Sequence, residues 1–335
     1  IYVLPGGKTL FQQLAAALVT PQHQPPTATA ENDMAWWRHA PVVGKKEEVL
    51  KVGYLYSLTF PARRVRLHPT PMDAPCTRCG QRTEWGARTM IYEMGESRPK
   101  SAALWRDPFA AYRTASDGKT PTPVRPVEGR AVWREYANIL LPVTGNDVNQ
   151  MRPAVINQLQ LIRRDLPYRH AIPFKVVGVR TDMKMKIFEW EESEFELPAA
   201  LIGNVEASGA IRSAIEFATE CDRIIKRVFR AHFGGDVKGG ELNEPVKWRM
   251  SQSYWERLAP KFRRFVRRFS GKVDVDALKR DWARRVVSHA QQEFKAAIAR
   301  LPKNGATLRQ RIEGEAHCRA ALRKYFNKQY PQNSQ

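Results

Sequence analysis

Four long segments with helical periodicity follow one another in the last third of the chain, and they constrain the fold more than any other feature. Each segment places apolar residues three and four positions apart, which is the spacing of one helix face. Short connections join them, so the sequence predicts an up-and-down four-helix bundle over residues 201–335. The segments are Ala210–Phe233, Ser251–Phe269, Val275–Leu301 and Thr307–Tyr330.

Local signals predict where these helices begin and end. Gly234 follows the first segment, and glycine commonly ends a helix. Asp274 stands just before the third segment, where its side chain can cap the free N–H groups of the first turn. Pro260 lies inside the second segment, and a break in the helix is expected there.

Residues 1–200 show a different pattern, in which short strand-like runs alternate with helical runs and loops. In Arg63–Leu67, apolar and basic residues alternate as a half-buried strand requires. The stretch Arg106–Arg130 is rich in Pro, Asp, Gly and Thr, which predicts irregular structure. The whole chain is therefore predicted to be α+β. Strands are expected at Val49–Phe60, Arg63–Leu67, Thr89–Met94, Pro173–Val179 and Lys186–Trp190, and helices at Thr9–Val19 and Met151–Leu166.

The charge of the chain indicates a polyanionic partner. Its 335 residues include 55 Lys and Arg against 34 Asp and Glu, a net charge of +21. Residues 221–335 hold 27 of the basic and 11 of the acidic residues, so a third of the chain carries a net charge of +16. Such a field favours DNA, RNA or an acidic membrane. A surface that merely improves solubility is the alternative, although the uneven distribution fits it poorly. No apolar run approaches the ~20 residues that cross a bilayer, so no membrane partner is expected.

A basic cluster at 261–269 is the clearest candidate for phosphate binding. On a helix, Arg264, Arg267 and Arg268 are expected near one face, and the interleaved phenylalanines on the other. Exposed arginines of this kind bind phosphates and release counterions. The alternative is a solvated face of an amphipathic helix. The candidate nucleic-acid-binding residues are Arg263, Arg264, Arg267 and Arg268, and a second cluster lies at Lys226, Arg227 and Arg230 without acidic residues one turn later.

The four cysteines predict at most half a metal site. Cys76 and Cys79 form a C-x-x-C turn, which can supply two of the four ligands of a tetrahedral zinc ion. His68 is a weak third candidate, and two incidental cysteines are the alternative. Cys221 and Cys318 lie on apolar helix faces and are expected in the core. So few, scattered cysteines do not make a disulfide framework, which indicates a reducing cytoplasm.

The sequence contains none of the motifs that would indicate an enzyme. It has no Walker loop, no H-E-x-x-H, no G-x-S-x-G and no His-Asp doublet of a metal-dependent nuclease. The acidic run Glu189–Glu196 is interpreted as a solvated patch at a strand-to-loop edge, and a metal site is the less favoured interpretation. We therefore expect a binding protein.

Three stretches in a fixed order resemble the large-subunit (CasA) family of the type I-E CRISPR surveillance complex, Cascade. The first is Tyr54–Leu67 followed by the Cys76–Gln81 turn, and the second is Leu104–Pro108. The third is Gly178–Trp190, which precedes a Leu-Pro and the long helices. The resemblance covers most of the chain and begins partway into the family's large N-terminal domain, so we expect an N-terminal portion to be missing.

The resemblance implies a function and a set of partners. A member of this family would recognise the protospacer-adjacent motif of duplex target DNA, start strand separation and R-loop formation, and recruit the helicase-nuclease. It would assemble with guide RNA and the other Cascade subunits, including the small subunits, in the prokaryotic cytoplasm, and would not be an enzyme. Residues 1–200 would be the remainder of the large mixed α/β domain. Two cysteines of the missing region would complete a zinc site with Cys76 and Cys79.

The resemblance also assigns residues to DNA contacts. The family's wedge loop, which enters the duplex, aligns with Arg180–Lys186. Known members carry a glutamine-containing tip in this loop, whereas the tip here is Thr181–Met185. A basic finger falls in Glu96–Lys100, where Arg98 and Lys100 are the available cations. The wedge residues are Arg180, Thr181, Asp182, Met183 and Lys184, of which Met183 would act as an apolar wedge and Lys184 as a phosphate or base contact.

Two other functions remain open from the residues alone. A general basic RNA- or DNA-binding scaffold would share the charge but would need no wedge loop or partner subunits. A zinc-dependent nuclease would need a histidine base beside the metal and a second pair of ligands.

Overall fold

A computed structural model of the chain describes residues 1–6, 9–19, 38, 63–76, 79–94, 107–114, 121–125, 132–141, 150–159, 170–181, 186–234, 243–270, 274–301 and 306–331. The chain forms two compact units, one made of Ile1–Val19 with Pro108–Gln335 and the other of Thr20–Asp107. The expected boundary near residue 200 lies inside the first unit. Among the helices of the described ranges, none combines the length and apolar character needed to cross a membrane.

The described residues contain eight strands and seven α-helices. The strands are β1 (Tyr2–Pro5), β2 (Arg63–Pro71), β3 (Trp85–Met94), β4 (Tyr112–Thr114), β5 (Pro121–Pro123), β6 (Gln150–Met151), β7 (Ala171–Thr181) and β8 (Ile187–Pro198). The helices are α1 (Leu10–Ala17), α2 (Tyr136–Leu140), α3 (Ala154–Asn157), α4 (Val205–Phe233), α5 (Glu244–Arg267), α6 (Val275–Ala299) and α7 (Leu308–Gln329). Short 3-10 turns cover Val132–Glu135, Ala199–Leu201 and Arg268–Ser270. This content confirms the predicted α+β class.

An antiparallel sheet with the strand order β1-β7-β8 lies in the first unit. Phe174 is paired with Phe195, and both side chains are buried, as is that of Val176. Lys175 and Glu194, on the opposite face, point to solvent, as the alternation of a half-buried strand requires. The two strands predicted before the bundle are confirmed, and both are longer than expected. The acidic run lies wholly within β8 and does not enter a loop.

A second small sheet with the order β5-β4-β6 corrects the prediction of irregular structure at Tyr112–Thr114 and Pro121–Pro123. Tyr112 is paired with Pro123 on one side and with Met151 on the other. These strands are two or three residues long, which is too short for an alternating pattern to show in the sequence. Strand β5 also has a proline at each end, and proline argues against a strand. Part of the helix predicted from Met151 is present as α3, and residues 160–169 lie outside the described ranges.

The four predicted C-terminal helices are present as α4 to α7. Asp274 caps α6 as expected, because its carboxylate accepts hydrogen bonds from the N–H groups of Asp276 and Ala277, both at 3.0 Å. The break expected at Pro260 is absent, and α5 continues through it. Leu258 and Phe262 on either side are buried. This packing outweighs the cost of about 3 kcal/mol that an internal proline imposes.

A cluster of aromatic rings packs the 3-10 turn at Val132–Glu135 against the helices α5 and α6. The ring of Trp133, in the first 3-10 turn, stacks on Phe262 of α5 at 4.5 Å between centroids. Its indole N–H donates to the carbonyl oxygen of Trp255 at 3.0 Å. Trp282 of α6 lies edge-on to Phe262. One hydrophobic core therefore runs from β7 and β8 through the bundle, and it includes Cys221 and Cys318, as predicted.

The second unit contains a two-stranded ribbon made of β2 and β3, which confirms the strands predicted there. Val65 is paired with Tyr92 and Leu67 with Met90, so these four exposed side chains share one face of the ribbon. The C-x-x-C turn lies in the connection between the two strands. The strand predicted at 49–60 falls outside the described residues.

Candidate nucleic-acid interface

The four arginines predicted to bind phosphates lie at the C-terminal end of α5 and contact two different elements. All four are exposed, and the interleaved side chains Phe262, Phe265, Val266 and Phe269 are buried, as predicted. Arg263 and Arg267 line a cleft of about 420 Å³ beside β7 and β8. Arg264 and Arg268 line a groove of about 220 Å³ between α5 and α6. Residues four apart share a helix face, which explains this division into two pairs.

The groove between α5 and α6, which we call the α5–α6 groove, concentrates positive charge around one carboxylate. Lys261 and Arg264 come from α5, Arg268 comes from the 3-10 turn directly after it, and Arg285 comes from α6. Nη1 of Arg268 lies 3.0 Å from Oδ2 of Asp281, and Nε of Arg285 lies 3.1 Å from the same oxygen. The floor of the groove consists of the apolar side chains of Phe265, Leu278 and Trp282. Four cations thus face a single acidic side chain, which leaves a surplus of positive charge at this surface.

Burial and neighbouring cations both lower the pKa of Lys261. Burial is the largest cause that lowers the pKa of Lys261, and the carboxylate of Glu293 opposes it. Arg264 and Arg285 lower this pKa further, because each repels the charged ammonium. Within the described part of the chain, neither Lys261 nor Arg264 forms an ion pair. An anion entering the groove would therefore meet cations whose charge is not already neutralised.

Arg267 is already engaged on the other side of α5. Its Nε and Nη2 atoms donate to Oε2 and Oε1 of Glu196 at 2.6 and 2.7 Å. This bond is the largest cause of the lowered pKa of Glu196; burial opposes it, and the positive charges of Arg267 and Arg263 lower the pKa further. Arg267 joins α5 to β8, so binding a phosphate would require it to give up a charged partner.

Two of the three residues in the second basic cluster, Lys226 and Arg227 on α4, are also paired within the chain. Nζ of Lys226 lies 2.8 Å from Oδ2 of Asp222, which is buried and also accepts from Ser251. Arg227 lies 3.8 Å from Glu220. These acidic partners precede the basic residues in the sequence, whereas the prediction took account only of acidic residues that follow. This cluster therefore lends less support to phosphate binding than the α5–α6 groove does.

Two of the five predicted wedge residues lie where β7 ends in the pair of strands β7 and β8. Arg180 and Thr181 are the last residues of β7, and β8 begins at Ile187. Asp182, Met183 and Lys184 lie outside the described residues. Strand β1 pairs with β7 only over Phe174–Val177, so the end of the hairpin extends beyond the sheet as two strands. The other predicted DNA contacts, Arg98 and Lys100, also lie outside the described ranges.

The C-x-x-C turn supplies two thiols and ends in a glycine with a left-handed backbone. Cys76 and Cys79 are both exposed. The N–H of Gly80 donates to the carbonyl oxygen of Cys76 at 2.8 Å, and Gly80 has a φ of 71°, which favours glycine. No group of three or more His, Cys, Asp or Glu side chains that could hold a metal occurs in the described ranges. The donor set present here fits half of a tetrathiolate zinc site.

Two residues of the α5–α6 groove, Asp281 and Arg285, were not predicted from the sequence. They lie four residues apart on α6, and such a pair predicts only a local ion pair. Lys261 belongs to the basic cluster but was not selected. No local signal indicates that α6 places these residues opposite Arg264 and Arg268, because that depends on how two helices pack.

Comparison with known protein families identifies the chain. The family model described as CRISPR-associated protein Cse1 matches residues 1–292. The chain belongs to the Cse1 family. Since Thermus thermophilus CasA is also named Cse1, the resemblance to the CasA family is confirmed.

Solved structures of the Cse1 family have the same fold. Cse1 from Acidimicrobium ferrooxidans is 18% identical with a TM-score of 0.71, over 98% of this chain and 64% of that one. Thermus thermophilus CasA is 21% identical with a TM-score of 0.65, over 98% and 62%. A chain of a CRISPR RNA-guided surveillance complex is 17% identical with a TM-score of 0.61, over 96% and 59%. The chain spans less than two thirds of the length of these proteins. No curated protein matches it.

Proposed function

We propose that this chain acts as part of the large subunit of a type I-E CRISPR Cascade complex. The match of the Cse1 family model over residues 1–292 carries this proposal. One solved structure with a similar fold belongs to a CRISPR RNA-guided surveillance complex. In this role the protein binds nucleic acid without catalysing a reaction. Its partners are guide RNA, the other Cascade subunits including the small subunits, target DNA and the helicase-nuclease, in the cytoplasm of a prokaryotic cell.

The α5–α6 groove would hold phosphates of the target DNA. Four cations line it above a floor of apolar side chains. Phosphate contacts of this kind add affinity without reading sequence. The β7–β8 hairpin would supply the other activity, recognition of the protospacer-adjacent motif and the start of strand separation, with Arg180 to Lys184 at its tip. Opening the first base pairs is the step that limits R-loop formation, since later pairing with the guide is nearly balanced in energy.

Zinc would be a structural part of this subunit. Cys76 and Cys79 would hold it with two further thiolates, and the metal would fix the connection between β2 and β3. This role needs no catalytic histidine and favours a structural site over a nuclease.

A double substitution in the groove tests the DNA-binding part of the proposal. Arg264→Ala with Arg268→Ala should weaken binding of target duplexes regardless of their sequence. The salt dependence of log affinity should flatten by up to about two units, roughly 0.9 for each phosphate that the variant no longer neutralises. The matched control is Arg309→Ala with Arg319→Ala on α7, which removes the same charge from outside the groove. Equal decreases in affinity for the two variants would show that only the general field of the protein attracts DNA.

Assembly separates the Cascade subunit from a general scaffold. Expressed with guide RNA and the other subunits, the complete protein should copurify with them in a defined complex. A basic scaffold protein would bind nucleic acid but would not copurify with guide RNA and repeated subunits. Failure to copurify with them would overturn the proposal even if the groove variants bind DNA more weakly.

A further inference from the structure

A single carboxylate oxygen holds two arginines from different helices in the α5–α6 groove. Oδ2 of Asp281 accepts from Nη1 of Arg268 at 3.0 Å and from Nε of Arg285 at 3.1 Å. An oxygen atom between two guanidinium groups is also the arrangement in which arginines bind a phosphate oxygen. Asp281 is the only acidic residue among the described residues that line the groove.

The ion pairs of Asp281 are accessible from solvent. The side chains of Arg268, Asp281 and Arg285 retain 53%, 40% and 61% of their exposure, respectively. A ligand can therefore reach the arginines without opening the core. The contact between α5 and α6 does not depend on these ion pairs, because the buried side chains of Phe265 and Trp282 lie beneath them. Exposed ion pairs contribute little to stability, so the role of Asp281 in folding is small.

We propose that Asp281 is an internal anion that occupies the phosphate position of the α5–α6 groove, and that a backbone phosphate of bound nucleic acid replaces it. This inference rests on the proposed function, because it requires the groove to bind nucleic acid. In the free protein, Asp281 keeps Arg268 and Arg285 aligned and offsets the repulsion among the four cations. On binding, the phosphate takes over both arginines. Asp281 therefore competes with the phosphate and weakens sequence-independent binding.

Replacing Asp281 with a neutral residue of the same shape tests this competition. The full chain with Asp281→Asn should bind a 20-nucleotide single-stranded DNA and a duplex of the same length more tightly than the wild type. Removing one charge at about 4 Å in water corresponds to a gain of about fivefold in affinity at low salt. The gain should shrink as salt is added, because the interaction of exposed charges is screened.

Two control variants separate competition from a general change in charge. Glu313→Gln on α7 changes the net charge by the same amount, and Glu313 pairs with Arg309 away from the groove. It should change affinity by less than about twofold, since a distant exposed charge is screened. Asp281→Glu keeps the carboxylate and should bind like the wild type. Asp281→Ser is a second neutral variant, which replaces Asp281→Asn if thermal unfolding shows that the latter is misfolded.

The outcomes separate this inference from the proposed function. Tighter binding by the neutral variants, with little change in Glu313→Gln, supports the exchange. Unchanged or weaker binding by a folded neutral variant overturns it, because Asp281 would then only position the arginines. An equal gain in Glu313→Gln also overturns it. If Arg264→Ala with Arg268→Ala binds DNA no more weakly than its control, the proposal that the α5–α6 groove binds DNA is wrong. If that variant binds DNA more weakly and Asp281→Asn binds no more tightly than the wild type, the groove binds DNA but Asp281 does not compete with the phosphate.

Discussion

The guanidinium of Arg267 forms two hydrogen bonds with the carboxylate of Glu196, with Nε 2.6 Å from Oε2 and Nη2 2.7 Å from Oε1. The pair joins the last turn of α5 to β8, across 71 residues of sequence. It raises the pKa of Arg267 through the hydrogen bond and the charge of Glu196. Arg267 was one of the residues predicted to bind DNA, and its geometry gives it a structural partner within the chain.

Breaking this pair should have a small, measurable effect on stability. Both side chains are more than a third exposed, so solvent screening limits the effect of Arg267→Ala to about 0.5–1 kcal/mol in the free energy of unfolding. Chemical unfolding of Arg267→Ala, Glu196→Gln and the double variant measures their coupling. If the two single effects simply add, the pair makes no net contribution to stability.

The same pair predicts a pH dependence. The pKa of Glu196 is lowered from 4.5 in the folded protein, chiefly by the hydrogen bond from Arg267. The stabilisation is therefore complete above pH 4.5 and is lost as the pH falls through the lower folded pKa. Unfolding measured at pH 7 and pH 3.5 should show a smaller difference between wild type and Arg267→Ala at the lower pH. A difference that stays constant would contradict the assignment.

Two histidines predict a second pH effect, at the contact between α4 and α7. Nε2 of His232 lies 3.0 Å from Nδ1 of His317. Burial and then the charge of His317 lower the pKa of His232 below 6.5, and Glu313 opposes them. As the pH falls below 6.5, the unfolded chain takes up the proton first, so the folded state loses stability until the folded pKa is passed.

His232→Asn should therefore lose less stability than the wild type between pH 7.5 and pH 5. Chemical unfolding at the two pH values measures this, and His68→Asn, an exposed histidine of the other unit, is the control. The prediction fails if wild type and His232→Asn respond equally to pH.

The hairpin tip should matter for opening DNA more than for binding it. Met183→Gly with Lys184→Ala should leave assembly with guide RNA intact. It should slow strand separation on duplex targets, because unstacking a step costs a few kcal/mol that the wedge would offset. Targets with a bubble already opened beside the motif should bind almost normally. Equal defects on both substrates would identify the loop as a docking contact.

Zinc should depend on Cys76 in the complete subunit. Metal analysis of the intact complex should find stoichiometric zinc in the wild type and little in Cys76→Ser, whereas Cys318→Ser, at a buried core position, should retain it. The present chain alone should bind zinc weakly, because affinity depends on a complete set of ligands. A complex without zinc would show that the C-x-x-C turn is incidental.

Local patterns were sufficient for the parts of the fold that depend on nearby residues. The four long helices were predictable because 3.6-residue periodicity persists along each of them. The cap at Asp274 and the ribbon of β2 and β3 were predictable because their signals are also local. The short strands β4 and β5 were not, since three residues carry no period. The continuity of α5 through Pro260 was not either, because buried neighbours outweigh the local cost.

The alternation of arginine and phenylalanine over residues 261–269 is enough to dictate which side of α5 is buried and that basic residues line its exposed side. What each arginine faces depends instead on the tertiary structure. Arg267 meets Glu196 of β8, and Arg268 meets Asp281 of α6. Charges interact over a few ångströms, and that distance is set by how helices and strands pack, which no local pattern along the chain records.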